Sequence, residues 1–208
     1  MSTPRLHYFN VRNRAEFIRW IFAYKRVHFE DVRIAFQDWP SIKPTFEFGT
    51  VPVLEIDGHQ LVTAIGIGRY VSTAHALYPN DVDEIYRTES IIDYIGDNLN
   101  AYDKIFFKAH DGKGWDDYLK GDGLQRLKFV ETKLKENRGG AGYFIGSNPT
   151  MLDFVVAAYV HNHYYLPEQQ SRLSVLQHEV PALKAFVDRF VALPEIANYI
   201  RIRPLSDA

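Results

Sequence analysis

A short segment in the first third of the chain combines a proline, a tight turn and a helix start that could bind an anion. Asp57-Gly58 between two apolar runs predicts a β-hairpin, because this turn needs positive φ. A helix is predicted from about Ala64, so the backbone N–H groups of Thr63 and Ala64 would have no partner within it. With Pro52 at the head of the first strand, these amides predict a site for an extended peptide that carries a carboxylate. An ordinary strand-strand-helix corner that binds nothing is the alternative.

The composition narrows the classes of partner. The chain has 208 residues, a net charge of −2 and a pI of about 6.4, so it offers no electrostatic case for binding nucleic acid or an anionic membrane. It contains no cysteine, which excludes disulfides, a thiolate nucleophile and cysteine-based zinc sites. No apolar run is long enough to span a membrane, and no secretory signal is visible. We therefore expect a cytoplasmic protein without a membrane partner.

The first part of the chain predicts an α/β domain, and the rest predicts helices alone. The predicted elements of the first part are strands at 5–9 and 29–34, a helix at 14–24, an irregular connection at 37–45, hairpin strands at 51–56 and 59–62, and a helix from about 64. Near residue 80 the strand signals disappear. The predicted helices beyond it cover 82–103, 119–135, 151–165, 181–191 and 195–200, and Thr150-x-x-Asp153 predicts a capping box at the start of the third of these. We therefore expect two domains, at residues 1–80 and 81–208.

Four stretches resemble the cytosolic glutathione transferases, and in particular the sigma class, which includes haematopoietic prostaglandin D synthases and cephalopod lens S-crystallins. In chain order they are LHYFNVRNRAEFIRWIFA, FEDVRIAFQDWPSIKPT, FGTVPVLEIDG and SNPTMLDF. The resemblance extends over the whole chain. It implies a thioredoxin-like α/β N-terminal domain followed by an all-α C-terminal domain, a homodimer, and a cis peptide bond before Pro52.

By this resemblance Tyr8 is the catalytic tyrosine, and Arg14 supports the site that binds glutathione. A thiol is a poor nucleophile until it becomes a thiolate. A phenol O–H that donates to the sulfur stabilises that anion, and lowering a thiol pKa by about two units needs roughly 2.7 kcal/mol. One hydrogen bond to a charged group, assisted by a nearby helix N-terminus, is of that order.

The resemblance assigns further residues to the binding of glutathione as co-substrate. Trp39 and Lys43 would hold its glycine end, although Trp39 could instead anchor the core and Lys43 could be a surface lysine. Val51, ahead of Pro52, would pair through its backbone with the cysteinyl part. Asp97 would reach the amino group of the ligand across a dimer interface.

The chain departs from the family pattern at the predicted anion site. Thr63-Ala64 stands where the family usually has Gln-Ser, so the serine hydroxyl that holds the γ-glutamyl carboxylate is missing. One hydrogen bond to a charged group is worth about 1.5–3 kcal/mol, or about 10- to 150-fold in affinity. The backbone amides remain, and Thr63 could contribute. Thr50 stands where many relatives have a basic or amide side chain, and these positions stay candidate glutathione contacts.

Six residues are candidates for a hydrophobic substrate pocket between the domains, and they would serve equally well as core: Phe9, Val11, Arg12, Leu99, Val155 and Tyr159. An apolar pocket with one or two polar groups suits a small hydrophobic electrophile or a lipid-like ligand. We predict no metal site. In the prostaglandin synthases an acidic cluster near Asp93 and Asp97 binds a divalent ion, and Gly96 interrupts that cluster here.

Two classes of function follow from the resemblance. The first is an enzyme that conjugates glutathione to hydrophobic electrophiles or carries out a glutathione-dependent, prostaglandin-type isomerisation. The second is a non-enzymatic, crystallin-like or hydrophobic-ligand-binding protein on the same fold, with a weakened glutathione site. The residues that favour the enzyme are Tyr8, Arg14, Trp39, Lys43 and Asp97. Those that favour the binding protein are Thr50, Thr63 and Ala64. The affinity for glutathione distinguishes the two.

Overall fold

A computed structural model describes residues 2–165 and 170–204 of the chain. The described residues form two compact units. The first comprises the residues up to Tyr78 together with those from Leu193, and the second runs from Pro79 to Ala192. The predicted domain limits, 1–80 and 81–208, stay a prediction. In the packing of the described residues, the segment from Leu193 groups with the first unit.

The first unit is built around a mixed sheet of four strands. They are β1 (Arg5–Phe9), β2 (Glu30–Ile34), β3 (Val53–Ile56) and β4 (His59–Val62), in the spatial order β2-β1-β3-β4. The β1–β2 pair is parallel, and the β1–β3 and β3–β4 pairs are antiparallel. The predicted turn is confirmed, with φ of 47° at Asp57 and 82° at Gly58. Strand β3 begins two residues later than predicted, because Pro52 has no N–H to donate to a ladder.

Helices cover this sheet in the first unit. They are α1 (Glu16–Tyr24), the short α2 (Trp39–Ile42) and α3 (Ala64–Ala74). A 3-10 turn, Asn13–Ala15, precedes α1. The apolar side of α1 faces inward, with Ile18 and Phe22 buried. Strand, helix and strand followed by two strands and a helix is the thioredoxin-like order, so the predicted fold class of this unit is confirmed.

The second unit contains only helices among its described residues. They are α4 (Val82–Tyr102), α5 (Gly112–Lys120), α6 (Asp122–Lys135), α7 (Met151–Tyr164), α8 (Gln170–Glu179) and α9 (Pro181–Val191). A π-helical turn, Asp103–Lys108, follows α4 directly. The prediction of one helix over 119–135 was wrong at its start, because the chain breaks at Gly121 between α5 and α6. Helix α8 was not predicted.

The last described helix, α10 (Pro194–Ile202), packs on α1 within the first unit. Ile196 is fully buried there. At the surface, Arg26 forms an ion pair with Glu195 at 2.7 Å. Over residues 2–165 and 170–204, none of the helices combines the length and the apolar character that crossing a bilayer requires.

Candidate active site

The sheet register brings three of the predicted site residues to neighbouring positions. In the β1–β3 pair, the residue before Tyr8 lies opposite the residue after Pro52. In the β3–β4 pair, that same β3 residue lies opposite the residue before Thr63. The register therefore places three residues side by side at the same end of three adjacent strands: Tyr8, Pro52 and Thr63. Adjacent strands lie about 4.8 Å apart. Tyr8 is 4% exposed.

The peptide bond between Val51 and Pro52 is cis, which confirms the implication of the resemblance. Val51 is half-buried and packs against the buried cluster formed by Ile34, Phe46 and Val53. Thr50 is exposed. The loop that leads into β3 thus has its position fixed by packing, and the pairing of the Val51 backbone with a ligand stays a prediction.

Helix α3 begins at Ala64, as predicted, and Thr63 is its N-cap. Thr63 has φ of 64° and ψ of 135°, a conformation that is uncommon for a β-branched residue. Its hydroxyl accepts the amide of Gly66 at 3.2 Å. A Cβ at Gly66 would lie 2.8 Å from that oxygen, so glycine permits the contact. The first backbone bond of the helix runs from Ile67 N to Thr63 O, which leaves the amides of Ala64 and Ile65 outside the helical ladder.

Trp39 and Lys43 lie on the segment between β2 and β3. Trp39 packs against the same buried cluster, with its ring edge-on to Phe9 at 5.2 Å and stacked on Phe46 at 6.3 Å between centroids. Lys43 is exposed, and its aliphatic stem covers Gly49, which has φ of 56°. Trp39 therefore contributes to the core, and the contact of either residue with a ligand stays a prediction.

The candidate pocket residues belong to both units. Phe9, Val11 and Arg12 lie in the first unit, on or just after β1, and Phe9 stacks on Phe36 at 4.7 Å. Arg14 follows on the 3-10 turn before α1 and is half-buried. The second unit contributes Leu99 on α4, and Val155 and Tyr159 on α7. Burial raises the pKa of Tyr159 well above its ordinary value, so this hydroxyl is neutral at physiological pH. That the six residues share a pocket stays a prediction.

Asp97 is exposed on α4 and already has a partner in its own chain. Arg126 forms an ion pair with it at 3.0 Å, donates to the carbonyl of Tyr94, and lies over the ring of Tyr94 at 4.7 Å. A ligand amino group at Asp97 would therefore compete with Arg126. Asp93 is also exposed, and residues 2–165 and 170–204 contain no group of three or more His, Asp or Glu side chains that could hold a metal ion.

A pair of buried charges, Glu16 and Arg19, lies next to Tyr8 and was not predicted from the sequence. Glu16 and Arg19 on α1 have fully buried side chains, and they pair at 3.2 Å. The guanidinium carbon of Arg19 lies 5.9 Å from the centre of the Tyr8 ring. The signal was present in the sequence, because Arg19 interrupts an otherwise apolar run on the inner side of the helix. An arginine at such a position is buried only when it is paired.

Family models match both halves of the chain. The model of the glutathione S-transferase N-terminal domain matches residues 4–73, and that of the C-terminal domain matches residues 97–203. The chain is similar to hematopoietic prostaglandin D synthase of Gallus gallus, at 34% identity over 209 residues that cover 98% of each chain. It is also similar to S-crystallin SL11 of Nototodarus sloanii, at 30% identity over 206 residues and the same coverage.

Solved structures give the same picture of the fold. The structure of prostaglandin synthase D of Nilaparvata lugens superposes with a TM-score of 0.81 at 28% identity, covering 98% of this chain and 100% of that one. The structure of monomeric Na-GST-3 from Necator americanus covers all of both chains with a TM-score of 0.85. At 24% identity, this second likeness concerns the fold alone.

Proposed function

The chain belongs to the glutathione S-transferase family, and we propose that it activates the thiol of glutathione with Tyr8 and adds the thiolate to a hydrophobic electrophile. Enzymes of this family use glutathione as co-substrate. The observation that carries the proposal is the alignment of Tyr8 with Pro52 and Thr63 across three neighbouring strands. In the proposed mode of binding, the Tyr8 phenol contacts the sulfur and the N-terminus of α3 binds a carboxylate of the same peptide.

The chemistry needs no group beyond the phenol and the peptide. When glutathione binds, its S–H proton leaves to solvent, and the Tyr8 O–H donates a hydrogen bond to the sulfur anion. A lone pair of the sulfur then forms a bond to the electrophilic carbon. In a substitution, the electron pair of the broken bond departs with the leaving group. In an addition, the electron pair of the broken π bond stays on the electrophile and takes up a proton. Tyr8 is almost fully buried, so this hydrogen bond acts in a medium of low dielectric, where it is stronger than in water.

Further contacts of glutathione are proposed around this edge, from Arg14, Trp39, Lys43, Thr50, Val51, Ala64 and, through a second subunit, Asp97. Val51 and Ala64 would act through their backbone, since both have apolar side chains. The exposed Lys43 supplies a positive charge for a carboxylate. Asp97 supplies a negative charge for the amino group of the ligand.

The proposed second substrate is a small hydrophobic electrophile or a lipid-like molecule. On the first unit, the stacked rings of Phe9 and Phe36 give a flat apolar surface directly after Tyr8 in the chain. Half of Phe36 is exposed, so this surface is accessible. A prostaglandin-type isomerisation is a variant of the same proposal, supported by the names of relatives that are up to 34% identical.

The proposal is tested by Tyr8→Phe. We expect turnover of 1-chloro-2,4-dinitrobenzene at saturating glutathione to fall about 10- to 100-fold, which corresponds to one hydrogen bond to a charged group. The affinity for glutathione should change little, because the hydroxyl acts on the thiolate. Tyr70→Phe, at an exposed tyrosine on α3, is the matched control. Unchanged turnover in Tyr8→Phe would remove the tyrosine from the proposed role.

A binding protein of the crystallin type is the second candidate. Two observations favour it: Ala64 has no hydroxyl for the γ-glutamyl carboxylate, and the hydroxyl of Thr63 is already bonded to Gly66. Calorimetric titration with glutathione separates the candidates. Saturable binding supports the enzyme, and absence of binding at millimolar glutathione makes the binding protein the better description.

We also propose that the protein is a homodimer of the cytoplasm. The support is family membership, together with the side chains of Val82 and Tyr86 on α4, both 74% exposed. Sedimentation should give twice the chain mass of 24.1 kDa at micromolar concentration. A single species at the chain mass would contradict the dimer.

A further inference from the structure

The buried charges of α1 are tied to the far end of the chain. Glu16 accepts from Arg19 at 3.2 Å and from the indole of Trp20 at 3.1 Å. The guanidinium of Arg203, directly after α10, bonds the same carboxylate. The hydroxyl of Tyr199 on α10 lies 3.5 Å from it. A residue 187 positions away in sequence therefore helps to neutralise a carboxylate that is fully buried at the start of α1.

Arg19 connects this carboxylate to the turn that follows the catalytic strand. Its Nη1 donates to the carbonyl of Val11 at 2.9 Å, and its Nε donates to Asp31 at 3.0 Å. The amide of Val11 in turn donates to the carbonyl of Phe9 at 2.7 Å, which closes a tight turn directly after Tyr8. Arg19 thus stabilises this turn through its hydrogen bond to the Val11 carbonyl, and its guanidinium also lies over the Tyr8 ring.

The cluster carries one net positive charge. Three guanidinium groups, of Arg19, Arg33 and Arg203, face two carboxylates, of Glu16 and Asp31. Burial opposes the charge of Glu16, but Arg19 and then Arg203 outweigh it, and its pKa is lowered. Burial likewise opposes the charge of Arg19, but Glu16 and Asp31 outweigh it, and its pKa is raised. Both groups are therefore charged at neutral pH.

The other titratable groups around α1 do not change this balance. Burial, and then the charge of Glu16, raise the pKa of Tyr199, so that hydroxyl is neutral at physiological pH. Helix α3 also packs on α1, and His75 directly follows it. The pKa of His75 is lowered by burial and then by Lys25. Lys25 follows the last residue of α1, at the opposite end of the helix from Glu16.

We propose that Arg203 is a positioning residue for Tyr8: it holds the buried Glu16–Arg19 pair in the arrangement that fixes the turn after Tyr8 and keeps a cation over its ring. The role of Tyr8 in catalysis rests on the proposed function. A cation over an aromatic face is attracted by the ring, and it stabilises negative charge that develops on the phenol or on a thiolate bound to it. Without Arg203, Arg19 is the one cation that remains paired with the Glu16 carboxylate among the described residues. We therefore expect Arg19 to be drawn away from the Val11 carbonyl.

Arg203→Gln tests the proposal, because the variant removes the charge at a side chain that is near the end of the chain and is 11% exposed. The protein is labelled with ¹³C at the tyrosine ring, and the Tyr8 signal is assigned by its loss in Tyr8→Phe. We expect the pH midpoint of the Tyr8 ionisation to rise by about half a unit or more. Arg203→Lys, which keeps the charge, should restore most of the shift.

Two control variants separate this effect from the loss of any positive charge near α10 and from a loosening of α10. Arg201→Gln removes the same charge from the same end of α10, where the side chain is exposed and bonds Asn198 at 2.7 Å. Arg26→Gln breaks the surface pair with Glu195 and so loosens α10 without touching Glu16. Neither should move the Tyr8 midpoint. Equal shifts in Arg203→Gln and Arg201→Gln would overturn the proposal, and so would an unmoved midpoint in Arg203→Gln.

Kinetics give a second, separate readout. In Arg203→Gln, the pH profile of kcat/KM for 1-chloro-2,4-dinitrobenzene should move to higher pH, with about a threefold loss at pH 6.5, while KM for glutathione stays within about twofold. If the parent protein shows no turnover, the proposed function fails, but the Tyr8 midpoint still decides this inference. If Arg203→Gln does not fold, Tyr199→Phe should give a smaller rise of the midpoint, and no rise there would overturn the proposal.

Discussion

Helices α3 and α7 both begin after a threonine, but their first backbone N–H groups differ in their partners. We call the start of α7 closed, because a carboxylate of the same helix caps it, and the start of α3 open, because it has no such carboxylate. At α7, Thr150 is extended (φ −118°, ψ 171°) and forms the predicted capping box with Asp153, the third residue of the helix. The Asp153 carboxylate accepts the amide of Thr150 at 2.7 Å and the amide of Phe144 at 2.9 Å. At α3, the third residue is Gly66, and the Thr63 hydroxyl accepts its amide alone.

The third residue of each helix accounts for the difference between the two starts. At α7, a carboxylate at that position accepts hydrogen bonds from the backbone, so the start is a buried structural cap. At α3, a glycine at that position leaves backbone donors at Ala64 and Ile65, and the exposed Thr63 adds no charge. An open start of this kind is suited to a carboxylate that arrives with a ligand. Substitutions at both starts test this explanation.

The largest effect is expected at the closed start. Asp153→Ala leaves buried donors of Phe144 and Thr150 without an acceptor, so the free energy of unfolding should fall by about 4 kcal/mol. Denaturant unfolding measures it. Asp153→Asn keeps the shape and one acceptor oxygen and should lose less. If Asp153→Ala lowers the free energy of unfolding by less than about 1 kcal/mol, the capping box contributes little to stability and this explanation is wrong.

The closed start should also make stability depend on pH. Burial raises the pKa of Asp153 from 3.8 to about 6, against the hydrogen bonds from Thr150 and Phe144 that lower it. The folded state therefore binds this proton more tightly than the unfolded state, and its contribution to stability is present below pH 3.8 and lost as pH rises through about 6.

Relative to Asp153→Asn, the free energy of unfolding of the parent should fall by about 2.5 kcal/mol between pH 4 and pH 7.5, which is most of what a shift of about two pKa units supplies. Urea titrations of both proteins at the two pH values measure this difference. The open start has no ionisable side chain in its first turn, so the difference in free energy of unfolding between the parent and any Thr63 variant should be the same at both pH values. A constant difference between the parent and Asp153→Asn would contradict the prediction.

A smaller effect, on binding, is expected at the open start. Ala64→Ser adds one hydroxyl at the first residue of α3, beside amides that already favour an anion. Glutathione binding should tighten by about tenfold, or roughly 1.4 kcal/mol, in calorimetric titration. Ala74→Ser, the same change at the exposed last residue of α3, is the control and should leave the affinity unchanged. Equal affinities of the parent and Ala64→Ser would place the ligand carboxylate away from this helix start.

The smallest effect should have opposite signs at the two threonines. Thr63→Gly relieves a positive φ and keeps a residue that is tolerated at an N-cap, so the free energy of unfolding should rise by about 0.5–1 kcal/mol. Thr150→Gly removes a hydroxyl from a relaxed capping box and should lower it by about 1 kcal/mol. Thermal unfolding of the pair measures both. The same sign at both positions would mean that the strain at Thr63 is not significant.

Much of the local structure could be predicted because its causes lie within a few residues. The Asp57-Gly58 turn, the start of α3 at Ala64 and the capping box before α7 all depend on neighbours in the sequence. The break at Gly121 was missed, because the apolar spacing on either side of it fits one continuous helix. The positive φ of Thr63 was missed as well, since threonine gives no local signal for that conformation.

The Asp57-Gly58 turn, the capping box at Thr150 and, through the resemblance, the family all follow from the amino-acid sequence. Which charges are buried together beside Tyr8 follows from the folded chain alone. Glu16 and Arg19 lie on α1, Asp31 lies on β2, and Arg203 directly follows α10. The apolar run around Arg19 signals that it is buried, but no neighbour in sequence indicates which charges it meets. A buried charge is stable only with a partner, and the packing of α10 on α1 brings Arg203 to the buried Glu16.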